Sequence, residues 1–304
     1  MKIHKICAFI ILLLGIGVTA YSAGRVLEAA QIYQEGDAVY ENLRGNVRKN
    51  KVSHKNDKEE PQVYIPRIER IEINPDELNP AADDEENKIS SEDFGEPEES
   101  KKPKKSKESE EKPQVYIPRV EINYDELNSI NNDAAAWLYC PNTVIDYPVM
   151  KANDYSYYLT RLPDGTQNAN GSLFIDYNCA SDFSGKLTVI YGHHMKSGSM
   201  FGSLKRYKEQ EYYDKHPFMY LYTEQGNYRV ELIYSCVMSA GQWEERGFIY
   251  PENIGELLAY AADSTTFESG IAYEENNRLL VLSTCSYEFD NARFVVIGIL
   301  KDEY

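Results

Sequence analysis

The chain has 304 residues, with 49 Asp or Glu against 32 Lys or Arg, and therefore a formal net charge of -17. Its length allows one or two domains. The acidic balance argues against nucleic acid as a partner, because a phosphate backbone is bound by basic surface. The five cysteines include no CxxC pair and no Cys/His cluster at zinc spacing, so we expect neither a metal nor a cofactor.

The first 25 residues predict a membrane anchor. Residues 6–24 carry no charge, and as a helix they would span roughly 28 Å, close to the thickness of a bilayer's hydrocarbon core. Lys2 and Lys5 precede this run, so the positive-inside rule predicts a single-pass protein of the cell membrane, with a cytoplasmic N-terminus and the remainder extracellular. A signal peptide that is cleaved near residues 20–23 is the alternative.

Residues 26–112 predict a charged linker that is largely disordered. An amphipathic pattern up to about Glu41 is compatible with a continued helix, whereas the sequence beyond it is dominated by Glu, Asp, Lys, Ser and Pro. Such a composition cannot bury enough apolar surface to offset the entropy of ordering. Residues 61–67 recur as residues 113–119. Because two copies are too few for a solenoid, we interpret them as a partial duplication of the entry segment of the following domain.

Residues 113–304 predict one compact, mainly β domain. An acidic start followed by an alanine-rich run predicts a helix over residues 125–138. Further helices are predicted near residues 200–210 and 253–262, and residues 225–227 predict a hairpin turn. Short runs bounded by turn residues predict strands at residues 172–177, 187–191, 218–222, 228–237, 278–284 and 294–300. This alternation favours a closed β-barrel with peripheral helices, preceded by an N-terminal helix.

Cys285 directly follows a predicted strand, where its thiol would be exposed at the rim of the barrel. A thiolate nucleophile needs that exposure and a positive neighbour. Arg293 comes eight residues later, at the start of the next strand, and a hairpin connection would return it to Cys285. A guanidinium there stabilises the thiolate and the oxyanion that forms on attack. A core cysteine beside a surface arginine is the competing explanation.

The other cysteines of this domain, Cys140, Cys179 and Cys236, are expected to be buried free thiols, with a bridge between Cys179 and Cys236 as the alternative.

His193 and His194 follow the predicted strand 187–191. An imidazole at this junction can exchange protons with the thiol and with a leaving amine, because its ordinary pKa lies near neutrality. Chemistry alone does not decide between the two histidines. The conjunction of His, Cys and Arg at three strand ends favours a cysteine enzyme.

Five stretches, taken in order, resemble class B sortases. They are Trp-Leu through Asp-Tyr-Pro-Val at residues 137–149, Gly-Ser-Leu-Phe-Ile-Asp at 171–176, Tyr-Gly-His-His-Met with Gly-Ser-Met-Phe at 191–201, Tyr-Tyr-Asp-Lys-His-Pro at 212–217, and Leu-Ser-Thr-Cys with Arg-Phe-Val-Val at 282–296. The resemblance covers about residues 115–300.

The resemblance implies a Gram-positive, membrane-anchored cysteine transpeptidase, classed with the thiol proteases. Such an enzyme cleaves a C-terminal sorting signal of surface proteins, often Asn-Pro-x-Thr-like, through a thioacyl-enzyme. A cell-wall peptide amine or a pilin lysine is then the acceptor.

By the family pattern, Cys285, His193 and Arg293 are the catalytic residues; the position of His194 is often asparagine. Residues 238–266 would form one wall of the groove. Candidate substrate contacts are Leu159, Ser283 and Tyr287.

Three alternatives remain at this level. A secreted cysteine peptidase agrees less well with the sequence, because papain-like and wall-hydrolase families place Cys before His, whereas here His193 precedes Cys285. A pilin-polymerising sortase differs from a wall-anchoring one only in its acceptor. An anchored adhesin would have an unreactive Cys285.

Overall fold

A computed structural model describes residues 2–50 and 120–303, with side chains for residues 14–49 and 120–303. Both copies of the repeat, residues 61–67 and 113–119, lie outside the described residues, and so does most of the predicted linker. Among the described residues, no helix contains an apolar stretch sufficient for a membrane span.

The N-terminal helix α1, Lys2–Val47, ends against the folded domain. Tyr40, Leu43 and Val47 recur on one face of the helix and are buried in the main core. The chain then continues into β1, Arg48–Asn50, which pairs antiparallel with β2, Val120–Ile122. The helix thus extends well into the segment that we predicted as linker, because these apolar side chains pack on the domain.

The remaining strands form a closed barrel, which confirms the predicted fold class. They are β3 Ala134–Tyr139, β4 Asp146–Met150, β5 Leu173–Ile175, β6 Leu187–Tyr191, β7 Phe218–Thr223, β8 Asn227–Ser239, β9 Arg278–Cys285 and β10 Ala292–Glu303. Their order around the barrel is β10-β8-β7-β3-β4-β5-β6-β9. Neighbours are antiparallel except for β4 with β5 and β6 with β9, which run parallel.

The predicted helix over residues 125–138 is wrong in its second half. The helix α2 covers only Tyr124–Ile130, and the alanine-rich run is strand β3. Alanine favours helices in isolation, but β3 is hydrogen-bonded to β4 on one edge and β7 on the other. Its Trp137 and Leu138 are fully buried. Tertiary packing therefore overrides the local helix propensity.

Helices cover the outside of the barrel. A 3-10 helix, Phe201–Lys208, and helix α5, Ile254–Ser264, confirm the two predicted helices. Two short α-helices, α3 Gln210–Lys215 and α4 Ala240–Glu245, and a 3-10 helix, Tyr157–Leu159, were not predicted. The six predicted strands are present with small shifts at their ends, whereas β3 and β4 were not predicted as strands.

Strand β9 is buried on both faces, which explains its uninterrupted apolar sequence. Leu280 and Leu282 belong to the main cluster, which includes Trp137. Leu279 and Val281 belong to a second cluster, with apolar side chains of α4 and α5. Alternate residues of a strand point to opposite faces. The outer face of β9 therefore lies toward α4 and α5.

Replacing Trp137 by alanine is expected to destabilise the fold by about 3–5 kcal/mol, because a fully buried aromatic side chain leaves a cavity. The change also removes the indole N–H that donates to Asp146 Oδ1 over 2.7 Å. The free energy of unfolding of the full chain in urea measures the effect. Val144→Ala, at an exposed position in the β3–β4 turn, is the control and should change it by no more than about 0.5 kcal/mol. Equal effects of the two substitutions would contradict the assignment of Trp137 to the core.

Candidate active site

Cys285 and Arg293 face each other across the β9–β10 hairpin. The register pairs the two residues directly, and Arg293 Nη1 lies 3.4 Å from Cys285 Sγ. Cys285 is half-buried, at the end of its strand. The predicted return of the arginine to the cysteine is therefore present. A guanidinium at this distance stabilises negative charge on sulfur.

Arg293 and Cys285 lie on the outer side of the barrel. Val295 and Ile297, at alternate positions along β10, pack in the cluster beneath α4 and α5. On its other edge, Arg293 pairs with Met238 of β8. The connection from β8 to β9, which contains α4 and α5, begins directly after this strand. That connection therefore borders the reactive pair, at the position where we expected one wall of a groove.

Parallel pairing of β6 with β9 brings the histidines to the same edge. Tyr191 pairs with Ser283, and the Thr284 hydroxyl donates to the Gly192 carbonyl over 2.7 Å. The segment that begins at His193 consequently leaves β6 beside the end of β9. The segment with His193 and the segment with Cys285, which are far apart in sequence, thus meet at the rim of the barrel.

The ring of His193 is oriented by a main-chain carbonyl. His193 Nε2 lies 2.6 Å from Leu159 O. A carbonyl oxygen only accepts hydrogen bonds, so Nε2 carries the hydrogen and Nδ1 of the neutral ring is left to exchange a proton. Sequence reasoning identified no residue that orients His193, because a main-chain oxygen leaves no signature in residue type.

Gly171 allows this close packing around His193. Its φ is +58°, and a Cβ there would lie 2.7 Å from Leu159 O and 3.0 Å from His193 Cδ2. Only glycine combines that backbone conformation with so little space. The Tyr40 hydroxyl of α1 donates to Gly171 O over 2.5 Å. Helix α1 thereby supports the loop against which the imidazole rests.

His194 has a different set of contacts. Its Nδ1 lies 2.7 Å from the main-chain oxygen of Cys285, to which it donates. Its ring centroid is 4.9 Å from that of Tyr287. Within the described part of the chain, neither His193 nor His194 is hydrogen-bonded to the sulfur, whereas Arg293 is. His194 therefore holds the main chain at Cys285.

The three candidate substrate contacts differ in accessibility. Leu159 is half-buried and presents its carbonyl to His193. Ser283 lies on β9 two positions before Cys285 and is buried. Tyr287 follows Cys285 in the hairpin and is 68% exposed. Of the three side chains, only that of Tyr287 is largely exposed, with one side of its ring against His194.

The other three cysteines of the described residues are expected to be less reactive than Cys285. Cys140, Cys179 and Cys236 are free thiols, so the bridge between Cys179 and Cys236 is absent. Cys140 and Cys236 are buried, as predicted, whereas Cys179 is only half-buried. Burial raises the pKa of Cys140 and of Cys179 to about 11 and that of Cys236 to about 12. At neutral pH these thiols are protonated and poorly nucleophilic. The described residues also contain no group of three His, Cys, Asp or Glu side chains that could hold a metal.

The comparisons with known proteins agree with this geometry. A sortase B from Listeria monocytogenes is 31% identical to the chain over 179 residues, which cover 58% of this chain and 72% of that relative. The chain belongs to the sortase B family. No protein-family model matches the chain.

Two solved structures resemble this sortase. The structure of Clostridium perfringens sortase B is 28% identical, with a TM-score of 0.55, over 59% of this chain and 100% of that one. A class B sortase of Streptococcus pyogenes involved in pilus biogenesis is 26% identical, with a TM-score of 0.53, over 59% of this chain and 98% of that one. The enzyme is thus a cysteine transpeptidase of the sortase type.

Thiol labelling should single out Cys285 in this sortase. In a Cys7→Ser background at pH 7, a methanethiosulfonate reagent is expected to modify one thiol rapidly, because burial keeps the other three protonated. Intact mass measures the modification, and Cys285→Ala should remove it. Labelling in denaturant, where every thiol reacts, is the control. Rapid modification that persists in Cys285→Ala would contradict the assignment.

Proposed function

We propose that this sortase is anchored in the cell membrane and joins surface proteins to the cell wall. It cleaves an Asn-Pro-x-Thr-like sorting signal after the threonine and transfers the threonine carbonyl to a cell-wall peptide amine. The observation that carries the proposal is the contact between the Arg293 guanidinium and the Cys285 sulfur, beside the strand end that carries His193. Arg293, Cys285 and His193 are the catalytic residues of this proposal.

In the first half-reaction, the Cys285 thiolate attacks the threonine carbonyl carbon. The carbonyl electrons move to oxygen, and Arg293 stabilises the oxyanion. When the tetrahedral intermediate collapses, the C–N bond breaks and the departing amine takes a proton from Nδ1 of the His193 imidazolium. The product is a thioester between threonine and Cys285.

In the second half-reaction, an acceptor amine attacks the thioester. His193 Nδ1 removes a proton from the attacking nitrogen, the C–S bond breaks, and the electron pair returns to Cys285 as thiolate. Transfer to an amine requires that the thioester outlive attack by water. The half-buried position of Cys285, next to the α4–α5 connection, is consistent with a shielded groove.

Polymerisation of pilins is the second candidate function. The similarity to the S. pyogenes class B sortase involved in pilus biogenesis favours it. The chemistry at Cys285 would be the same, with a lysine side chain of a pilin as acceptor. Offering the thioacyl-enzyme a wall-peptide amine and a pilin lysine in competition distinguishes the two functions by the mass of the product.

Substitution of the three catalytic residues should have graded effects on cleavage of a fluorogenic sorting peptide. Cys285→Ala should abolish turnover, because no thioester can form. Arg293→Gln should lower kcat/KM by about 10²–10³-fold through loss of oxyanion stabilisation. His193→Ala should lower it by about 10²–10⁴-fold through loss of the general acid.

His194→Asn is the matched control for His193, because its amide keeps an N–H donor for the Cys285 carbonyl. It should retain activity within about tenfold of the parent, whereas removal of the general acid costs far more. Unchanged turnover in Cys285→Ala would contradict the enzymatic proposal. A larger loss in His194→Asn than in His193→Ala would assign proton transfer to the other imidazole.

The anchor proposal rests on the uncharged residues 6–24 and is tested by cell fractionation. The full chain should stay with the membrane fraction after an alkaline carbonate wash, since a spanning helix is not released by charge repulsion. A variant that lacks residues 1–25 behind a cleavable secretion signal should appear in the medium. Recovery of the full chain in the soluble fraction would contradict the anchor, and a mature N-terminus near residue 23 would support the cleaved signal peptide.

A further inference from the structure

A basic cavity opens beside the end of β9. It has a volume of about 400 Å³ and lies between the β9–β10 hairpin and the 3-10 helix Phe201–Lys208. We call it the lysine pocket after three of its lining residues, Lys196, Lys205 and Lys208. The rest of its lining comes from His194, Ser286, Tyr287 and Glu288.

The lysine pocket is directly connected to the nucleophile. Ser286 and Glu288 follow Cys285 in the hairpin, and His194 donates to the Cys285 main-chain oxygen. A ligand in the pocket therefore touches the residues that hold the reactive cysteine in place. The catalytic roles proposed above do not use the three lysines.

The pocket lies on a different side of β10 from the catalytic arginine. The Lys208 ammonium is 5.3 Å from the centroid of Phe294, and Phe294 packs in the main cluster, on the face of β10 away from α4 and α5. Its neighbour Arg293 points to the opposite face, since adjacent residues of a strand alternate. The lysine pocket is thus separate from the groove that the α4–α5 connection borders, next to the side chains of Cys285 and Arg293.

The charge of the pocket is unbalanced in a protein that is acidic as a whole. Glu288 is the one acidic residue in the lining, and it is paired with Lys208 and accepts from Ser286. Lys196 and Lys205 form no ion pair among the described residues and are exposed. Partial burial, and next the charge of Lys205, lowers the pKa of Lys208. Positive charges that repel one another in this way favour a bound anion.

We infer that the lysine pocket binds a carboxylate of the amine acceptor and thereby selects acceptors that carry a negative charge within a few residues of the reacting amine. This inference rests on the proposed function and specifies its second substrate. The lysines attract the carboxylate of the acceptor to the rim, beside the main chain of Cys285, and the amine reaches over the rim to the thioester. The same positive potential disfavours the ammonium form of the incoming amine, so a larger fraction is the neutral nucleophile.

The test compares two acceptors, Gly-Gly-Gly and its C-terminal amide, which share the amine and differ in the terminal charge. Full-length enzyme is first acylated with a sorting peptide, and the acyl-enzyme is detected by intact mass. The rate of transfer to each acceptor is then measured, and the ratio of acid to amide is the readout. Comparing this ratio between variants cancels the intrinsic reactivity of the two amines.

The parent enzyme should prefer the acid by about threefold or more, as expected for a partly exposed ion pair. Lys205→Gln and Lys196→Gln should each lower that ratio toward one. Lys186→Gln is the control, because Lys186 precedes β6 at the end opposite to His193 and donates to Glu275 O. It should keep the ratio of the parent. Raising the salt from about 0.05 M to 0.5 M should weaken the preference through screening.

An acyl-enzyme that transfers to the acid and the amide in the same ratio in the parent and both lysine variants would overturn the inference alone. A drop of the ratio in Lys186→Gln as large as in Lys205→Gln would do the same, because net charge and not the pocket would then be responsible. Failure to form an acyl-enzyme with any sorting peptide would instead overturn the proposed function and, with it, the inference.

Discussion

The hydrogen-bond register of β9 with its two neighbours holds the site together. On one edge the antiparallel register sets Arg293 opposite Cys285, and on the other the parallel register sets the end of β6 beside the end of β9. A slip of one residue along either edge would turn the paired side chain to the other face of the barrel. The contact between guanidinium and sulfur is therefore a property of strand pairing, and no local motif around Cys285 creates it.

Burial on both faces of β9 makes that register difficult to change. Leu280 and Leu282 pack into the barrel, while Leu279 and Val281 pack beneath the outer helices. Any shift would exchange apolar side chains between two filled clusters, at a cost of roughly 1–3 kcal/mol for each residue that no longer fits. The loop at Gly171 is packed as tightly, because a Cβ at that position would collide with Leu159 O and with the His193 ring. The half-buried Cys285, His193 and Arg293 are thus held in place by strands whose other side chains are buried.

Much of this site was accessible from the sequence, and the part that was not has a physical explanation. The strand before Cys285, the hairpin that returns Arg293 and the position of His193 after a strand all follow from patterns of residue type. The helix predicted over residues 125–138 was wrong in its second half, because pairing with two neighbouring strands and burial outweigh the helix propensity of alanine. The hydrogen-bond partner of His193 is the main-chain carbonyl of Leu159. Because every residue has such a carbonyl, the sequence could not identify it. The lysine pocket collects residues from two segments whose proximity only folding creates.

The position of β10 in the barrel makes the enzyme dependent on completed folding. This strand lies between β8 and β9 and is the last of the described strands to be synthesised. Until it docks, Cys285 has no guanidinium beside it and the barrel stays open. A newly made chain, still in transit or attached to the ribosome, therefore carries a thiol without its activating neighbour. The contact between the guanidinium and the sulfur therefore arises in the same step that closes the barrel.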